Sequence, residues 1–166
     1  KYKRSQEVLE ARWTKKGGKS YYGYKNHISS DVEYGFIRRY TVTDASVHDS
    51  QVLGQHLDDN NTEASLWGDS AYRSENIEEV LNLLNFESQI HERGYRNNPL
   101  TEEQKERNRE KSKIRAKVEH VFASLSQMGG KLVRSIGLER VSLHIGLKNL
   151  TYNFQRLVFF ESQSAV

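Results

Sequence analysis

The chain has 166 residues, with 25 Lys plus Arg against 22 Asp plus Glu, a formal charge of +3 and 36% hydrophobic residues. That length can bury one ordinary core. Cysteine is absent, which excludes disulfide scaffolds, thiolate zinc sites and cysteine nucleophiles. No apolar run reaches the roughly 18 residues that a membrane span needs, and the charged start does not resemble a secretory leader, so a cytoplasmic protein is expected.

In chain order, residues 1–19 read as an irregular, charged lead-in. Residues 21–28 and 36–42 are rich in Tyr, Ile, Val and Thr, with a turn at Glu33-Tyr34-Gly35 between them, and predict two antiparallel strands. His48-Asp49-Ser50 announces a helix with Val52, Leu53 and Leu57 on its apolar face. Residues 64–68 predict a short buried strand that ends at Asp69. Ser74 caps a helix over 75–84, and residues 86–91 predict another strand. After the break at Asn97-Asn98-Pro99, a charged helix is predicted from Thr101 to about Gln127. Ile114, Val118, Val121 and Leu125 form its stripe. A last helix over about 139–160 carries Leu143, Leu147, Leu150, Phe154 and Leu157 at helical spacing. This order, β-β-α-β-α-β-α-α, predicts an α/β fold.

Several short motifs compete with plainer readings. Gly17-Gly18-Lys19-Ser20 looks like the tail of a phosphate-binding loop, but Trp13 stands where that loop needs glycine and a strand follows where it needs a helix, so a charged loop is preferred. His48-Asp49 is a conceivable metal pair, yet Asp49 reads better as a helix cap. His144 reads as a core or partner histidine, and His27 as structural or as a residue at the rim of a site. Asp69 follows an apolar strand in Trp67-Gly68-Asp69-Ser70-Ala71-Tyr72-Arg73, where a carboxylate either points into a ligand crevice or simply caps a turn. Glu119 borders the apolar stripe and pairs in register with Arg115; the plain alternative is a solvated surface ion pair. Lys105, Arg107, Arg109, Lys111, Lys113, Arg115 and Lys117 crowd the same helix. Cations beside carboxylates suit a phosphodiester held together with a metal.

These residues, in order, carry a resemblance. Ala11-Arg12-Trp13, then Tyr21-Tyr22-Gly23-Tyr24-Lys25-Asn26-His27, then Val42-Thr43-Asp44-Ala45-Ser46-Val47-His48-Asp49, then Gly68-Asp69-Ser70-Ala71-Tyr72, then Arg115-Ala116-Lys117-Val118-Glu119-His120-Val121-Phe122 resemble transposases of bacterial insertion sequences in the DDE superfamily, closest to the insertion-sequence-five group. The resemblance implies a ribonuclease-H-like mixed sheet flanked by helices, with the catalytic domain over 20–160 and a tail over 161–166. It implies an Asp-Asp-Glu triad in which Asp69 is the second aspartate and Glu119 the glutamate, both binding Mg²⁺ or Mn²⁺. It further implies DNA contacts from Arg73, Lys111, Lys113, Arg115, Lys117 and Lys131, and support from Tyr72 and His27. The partners implied are the element's terminal inverted repeats and target DNA, bound by a homodimer at the bacterial nucleoid, with no membrane.

Three departures bear on these expectations. Ser112 stands where the family signature has tyrosine, and Ser126 where it has lysine, with Lys131 the nearest lysine. The family's first aspartate, on the central first strand, should lie before Ala11, and residues 1–10 hold no aspartate. The expectation is therefore a truncated transposase lacking that strand and inactive alone. The alternatives are a DNA-binding remnant without catalysis and another nuclease of the same fold.

Overall fold

The computed structural model describes residues 10–58, 61, 64–129 and 133–164. It is mixed α/β and divides into two compact units, Lys1–His56 with His120–Val166, and Leu57–Glu119. Among the described residues no helix is long and apolar enough to cross a membrane.

The first unit is built on three antiparallel strands, β1 (Arg12–Lys16), β2 (Lys19–Ser30) and β3 (Ile37–Asp44), in the order β1-β2-β3. The presence of β1 corrects the reading of 1–19 as irregular. Gly17 and Gly18 take φ of +56° and +76°, and two successive positive φ values make the tight turn whose twist suits a two-residue hairpin. The β2–β3 connection is organised by Asp31. Its carboxylate accepts from the backbone N–H groups of Tyr34, Gly35 and Phe36 at 2.5, 3.1 and 2.9 Å, and Gly35 supplies the left-handed residue at φ +74°. After β3 the expected helix is shortened to a 3₁₀ turn, Asp49–Gln51, and a single helical turn, α1 (Leu53–His56).

The last helix, α4 (Leu138–Ser164), belongs to this unit and continues through the predicted tail to Ser164. Its buried residues are Val141, Ile145, Asn149 and Tyr152. The predicted packing stripe is on the outside: Leu143 is 66% and Phe154 58% exposed, and Leu147, Leu150 and Leu157 are exposed too. His144, read as a core or partner histidine, is exposed and so not in the core. Polar side chains select the inward face. Asn153 accepts from the Ile37 N–H and donates to the Ile37 carbonyl, both at 2.9 Å, and Asn149 bonds Asn26 at 2.9 Å. The Tyr152 hydroxyl donates to the Gly35 carbonyl. Ile37, Val121, Leu125 and Tyr152 form the core cluster of this unit.

The second unit contains β4 (Ser65–Gly68) and β5 (Glu87–Ile90), paired parallel, with α2 (Glu75–Leu83) between them in sequence. Ser74 caps α2 as expected, its hydroxyl accepting from the Ile77 N–H. The helix α3 (Glu102–Gln127) starts at a reciprocal box. The Thr101 hydroxyl accepts from the Gln104 N–H at 3.2 Å, and the Gln104 side chain accepts from the Thr101 N–H at 2.8 Å; each bond satisfies a donor that the helix start leaves without an intrahelical partner. The unit boundary falls inside α3. Leu57, Leu81, Phe86 and Ile90 form the second core, with Leu66, Tyr72 and Ile77 packed against it.

Candidate functional site

Asp69 is the first residue past β4. With φ −79° and ψ 171° it caps the 3₁₀ turn Ser70–Tyr72, and its Oδ1 accepts from the Ala71 N–H at 3.0 Å. The cap uses one of the two carboxylate oxygens. Gly68 makes the approach close: a Cβ there would lie 3.4 Å from Ile90 Cγ1 and from Tyr72 Cδ2. Gly68 pairs with Ile90, and the His91 N–H donates to the Gly68 carbonyl at 3.0 Å. Asp69 and His91 therefore leave neighbouring parallel strands side by side. Carboxyl ends of parallel strands are where such sheets bind ligands.

The first half of α3 is tied to the exit of β5. Asn108 accepts from the Glu92 N–H and donates to the Glu92 carbonyl, both at 2.9 Å. Arg107 pairs with the Glu92 carboxylate at 2.8 Å and holds its pKa below the usual glutamate range. Lys111 Nζ and Arg73 both donate to the Ile90 carbonyl, at 3.1 and 3.4 Å. Ser112 Oγ lies 3.4 Å from His91 Nε2, so this serine touches the imidazole beside Asp69. Burial first, then the charges of Arg115 and Lys111, hold His91 below the ordinary histidine pKa, while Asp69 pulls the other way. One imidazole thus sits in the fields of Asp69, Lys111 and Arg115.

Glu119 lies two turns beyond Ser112, on the same side of α3 as Lys111 and Arg115 and about 10 Å further along the axis at 1.5 Å per residue. It accepts from Arg115 at 3.3 Å and its side chain is 69% exposed. Both carboxylates fall in the second unit. Among the described residues no three His, Asp or Glu side chains form a cluster able to hold a metal. Asp69 and Glu119 fit a magnesium-type ion in kind, being hard oxygen donors, and such an ion commonly takes one or two carboxylates and fills its shell with water and substrate phosphate.

Of the remaining sequence candidates, Arg73, Lys111 and Arg115 gather around the β5 exit. Lys113 is held by Glu110 at 2.5 Å, Lys117 is exposed, and Lys131 lies outside the described residues. Tyr72 packs on the second core. His27 belongs to the first unit, where both its ring nitrogens are used: Nδ1 is 2.9 Å from Asp49 and Nε2 is 2.8 Å from Thr43 Oγ1. Asp49 is not the cap it was expected to be. His48 takes that place, its ring accepting from the Ser50 N–H. Sequence reasoning passed over His91, although it follows β5 just as Asp69 follows β4. That shared position at the ends of two predicted strands was the available signal.

Comparison with known proteins adds a family. Residues 3–154 match the family described as Transposase DDE domain. The chain is 33% identical over 146 residues to the transposase for insertion sequence element IS1106 of Neisseria meningitidis serogroup B, an alignment that covers 87% of this chain and 50% of that protein. The chain thus spans about half the length of this relative. No solved structure matches.

Proposed function

Because the chain belongs to the transposase DDE-domain family, we propose that it supplies Asp69 and Glu119 as two of the three carboxylates of a DNA strand-cleaving and strand-transfer centre. The observation that carries this reading is the exit of the parallel β4–β5 pair: Asp69 emerges beside His91, and the α3 face that ends in Glu119 is fastened across the same exit through Asn108, Lys111 and Ser112. Lys111, Arg73 and Arg115 supply positive charge where a phosphodiester would lie, so they would hold the scissile phosphate while Asp69 and Glu119 would hold the metal. Mg²⁺, or Mn²⁺ in its place, supplies Lewis acidity and lowers the pKa of an attacking hydroxyl. Asp69 is oriented for its part by the Ala71 N–H, and Glu119 by Arg115.

The same reading places the chain in a ribonuclease-H-like fold. A two-stranded parallel sheet is a poor unit alone, since parallel sheets are normally buried and wider. Along 24–30, β2 has only β3 as a strand partner among the described residues. The substrates are then the ends of an insertion sequence and a target DNA, handled by a homodimer in the bacterial cytoplasm. The insertion-sequence-five assignment rests on the ordered motifs alone.

Metal titration tests the carboxylate pair without requiring turnover. Adding Mn²⁺ to the chain should broaden the amide signals of Ala71 and Glu119 over one concentration range, and Asp69→Asn should weaken the effect at both. Broadening at Glu119 that ignores Asp69→Asn would remove the shared ion and with it this reading. In a cleavage assay on element-end DNA the 166 residues alone should show no Mg²⁺-dependent turnover. Turnover abolished by Asp69→Ala would refute the expectation that these residues are inactive alone. Turnover on generic DNA without preference for inverted repeats would favour another nuclease of the fold.

A further inference from the structure

The β1–β2 hairpin has no part in the site above, and its surface is unusual. From residue 11 to residue 30 the chain carries Arg12, Lys15, Lys16, Lys19 and Lys25 and not one acid. The register pairs Trp13 with Tyr22, Thr14 with Tyr21, Lys15 with Ser20 and Lys16 with Lys19. Directly paired residues share a face and successive residues alternate. One face therefore presents Trp13, Lys15, Ser20 and Tyr22; the other presents Arg12, Thr14, Lys16, Lys19 and Tyr21.

Neither face covers a core. Trp13 is 66% exposed and Tyr21 and Tyr22 are 51% exposed, and Arg12, Lys15, Lys16 and Lys19 are all exposed. The Trp13 and Tyr22 rings lie 5.2 Å apart at 49°, forming one aromatic platform. At the tip, a Cβ on Gly17 or Gly18 would meet nothing within 4 Å. The pairing of Lys16 with Lys19 sets like charges opposite each other, which destabilises a free hairpin. A two-stranded ribbon is marginal in water to begin with. A polyanion would relieve the repulsion, and one that also offers sugar and base edges would cover the aromatic rings. Duplex DNA does both, and its major groove, about 12 Å wide, admits a two-stranded ribbon.

We infer that the β1–β2 hairpin is a second DNA-binding element that enters a groove of duplex DNA, with Arg12, Lys15, Lys16 and Lys19 on phosphates and the Trp13–Tyr22 platform against the groove wall. The inference takes from the proposed function only that the polyanion is DNA. It lies in the first unit, whereas both carboxylates lie in the second.

The test uses the full chain, Mg²⁺-free buffer and a 20-base-pair duplex. Replacing Lys15, Lys16 and Lys19 together by Gln should weaken binding at least tenfold. The slope of log K against log salt should become shallower by roughly 0.9 for each cation that contacted phosphate. Trp13→Ala should weaken binding at high salt, where the ionic part has faded. In a Trp67→Phe background the emission of Trp13 should respond to the duplex. The four hairpin sites, Trp13, Lys15, Lys16 and Lys19, are exposed, so an unchanged melting temperature verifies the fold. Native affinity and slope in the triple variant would overturn the inference. So would a silent Trp13, or an equal Trp13 response to heparin or duplex RNA. The triple lysine variant should keep the Mn²⁺ broadening at Ala71 and Glu119, so failure of the metal site and failure of the hairpin are read separately.

Discussion

Asp49 lies between His27 and Lys25, 2.9 Å from one ring nitrogen and 3.4 Å from the ammonium. The hydrogen bond from His27 is the main reason its pKa falls from 3.8 to about 2, with partial burial opposing and Lys25 assisting. The sign follows from linkage. The unfolded chain takes up the proton first as pH falls, so the stabilisation is complete above 3.8 and is lost as pH drops through about 2. Acid unfolding followed by circular dichroism should therefore be less steep between those values in Asp49→Asn than in the native chain; equal steepness would mean that the bond to His27 contributes nothing. His91 has linkage of the same sign, in a higher pH range. Its depressed pKa means stability is complete above 6.5 and begins to fall below it. Its ring also reports on the candidate site. Removing the carboxylate with Asp69→Asn should lower the His91 pKa further, and removing the cation with Lys111→Met should raise it, both read by NMR titration. No response to Asp69→Asn would put that carboxylate out of reach of the imidazole. Asp69 and Glu119 stand out as candidates in the sequence because short motifs contain them in order. The pairing of His27 with Asp49 does not, since it joins a strand to a turn that no local pattern connects.

At the scale of elements, α4 shows what hydrophobic spacing leaves undecided. Its sequence offers two faces that both repeat at helical intervals, one of leucines and Phe154, the other of Val141, Ile145, Asn149 and Tyr152. Counting apolar residues selects the first. The fold buries the second because Asn149 and Asn153 bond β2 and β3, and because Gly146 admits the Tyr40 hydroxyl where any Cβ would collide. Asparagine contributes little to a periodicity score but satisfies strand groups that a leucine would leave unpaired. The two faces should separate in stability measurements. Ile145→Ala should cost about 2–5 kcal/mol in urea unfolding, whereas Leu147→Lys should stay within about 0.5 kcal/mol. The reverse ranking would exchange the two faces. The strand β1 was missed for a related reason. Three of its five residues are charged and all but Thr14 are exposed, so nothing alternates; the signal for the hairpin is the Gly17-Gly18 turn. By contrast α2 and the start of α3 were legible, because Ser74 and Thr101 cap through local bonds that the sequence places next to each helix.

For the whole molecule, the division into two units has a measurable consequence. The Ile37–Val121–Leu125–Tyr152 cluster and the Leu57–Leu81–Phe86–Ile90 cluster have no member in common. Leu81 and Ile90 are fully buried in the second, and Val121 is 1% exposed in the first. Cavities at these positions cost roughly 2–5 kcal/mol for a leucine truncated to alanine. If each cluster holds its own cooperative unit, that loss stays local, since regions of a protein open with their own free energies. Hydrogen exchange on Leu81→Ala should then lose protection in β4, β5 and α2 while β2 and β3 keep theirs, and Val121→Ala should do the reverse. A uniform loss in both variants would show that the two cores unfold as one. The local outcome also bears on the candidate site. Asp69, His91, Lys111 and Glu119 all belong to Leu57–Glu119, so Leu81→Ala should weaken Mn²⁺ broadening at Ala71 in step with lost protection in β4. DNA binding through the β1–β2 hairpin should persist in the same variant, because β2 retains its pairing with β3. Loss of metal and DNA together would instead tie both activities to a single cooperative core.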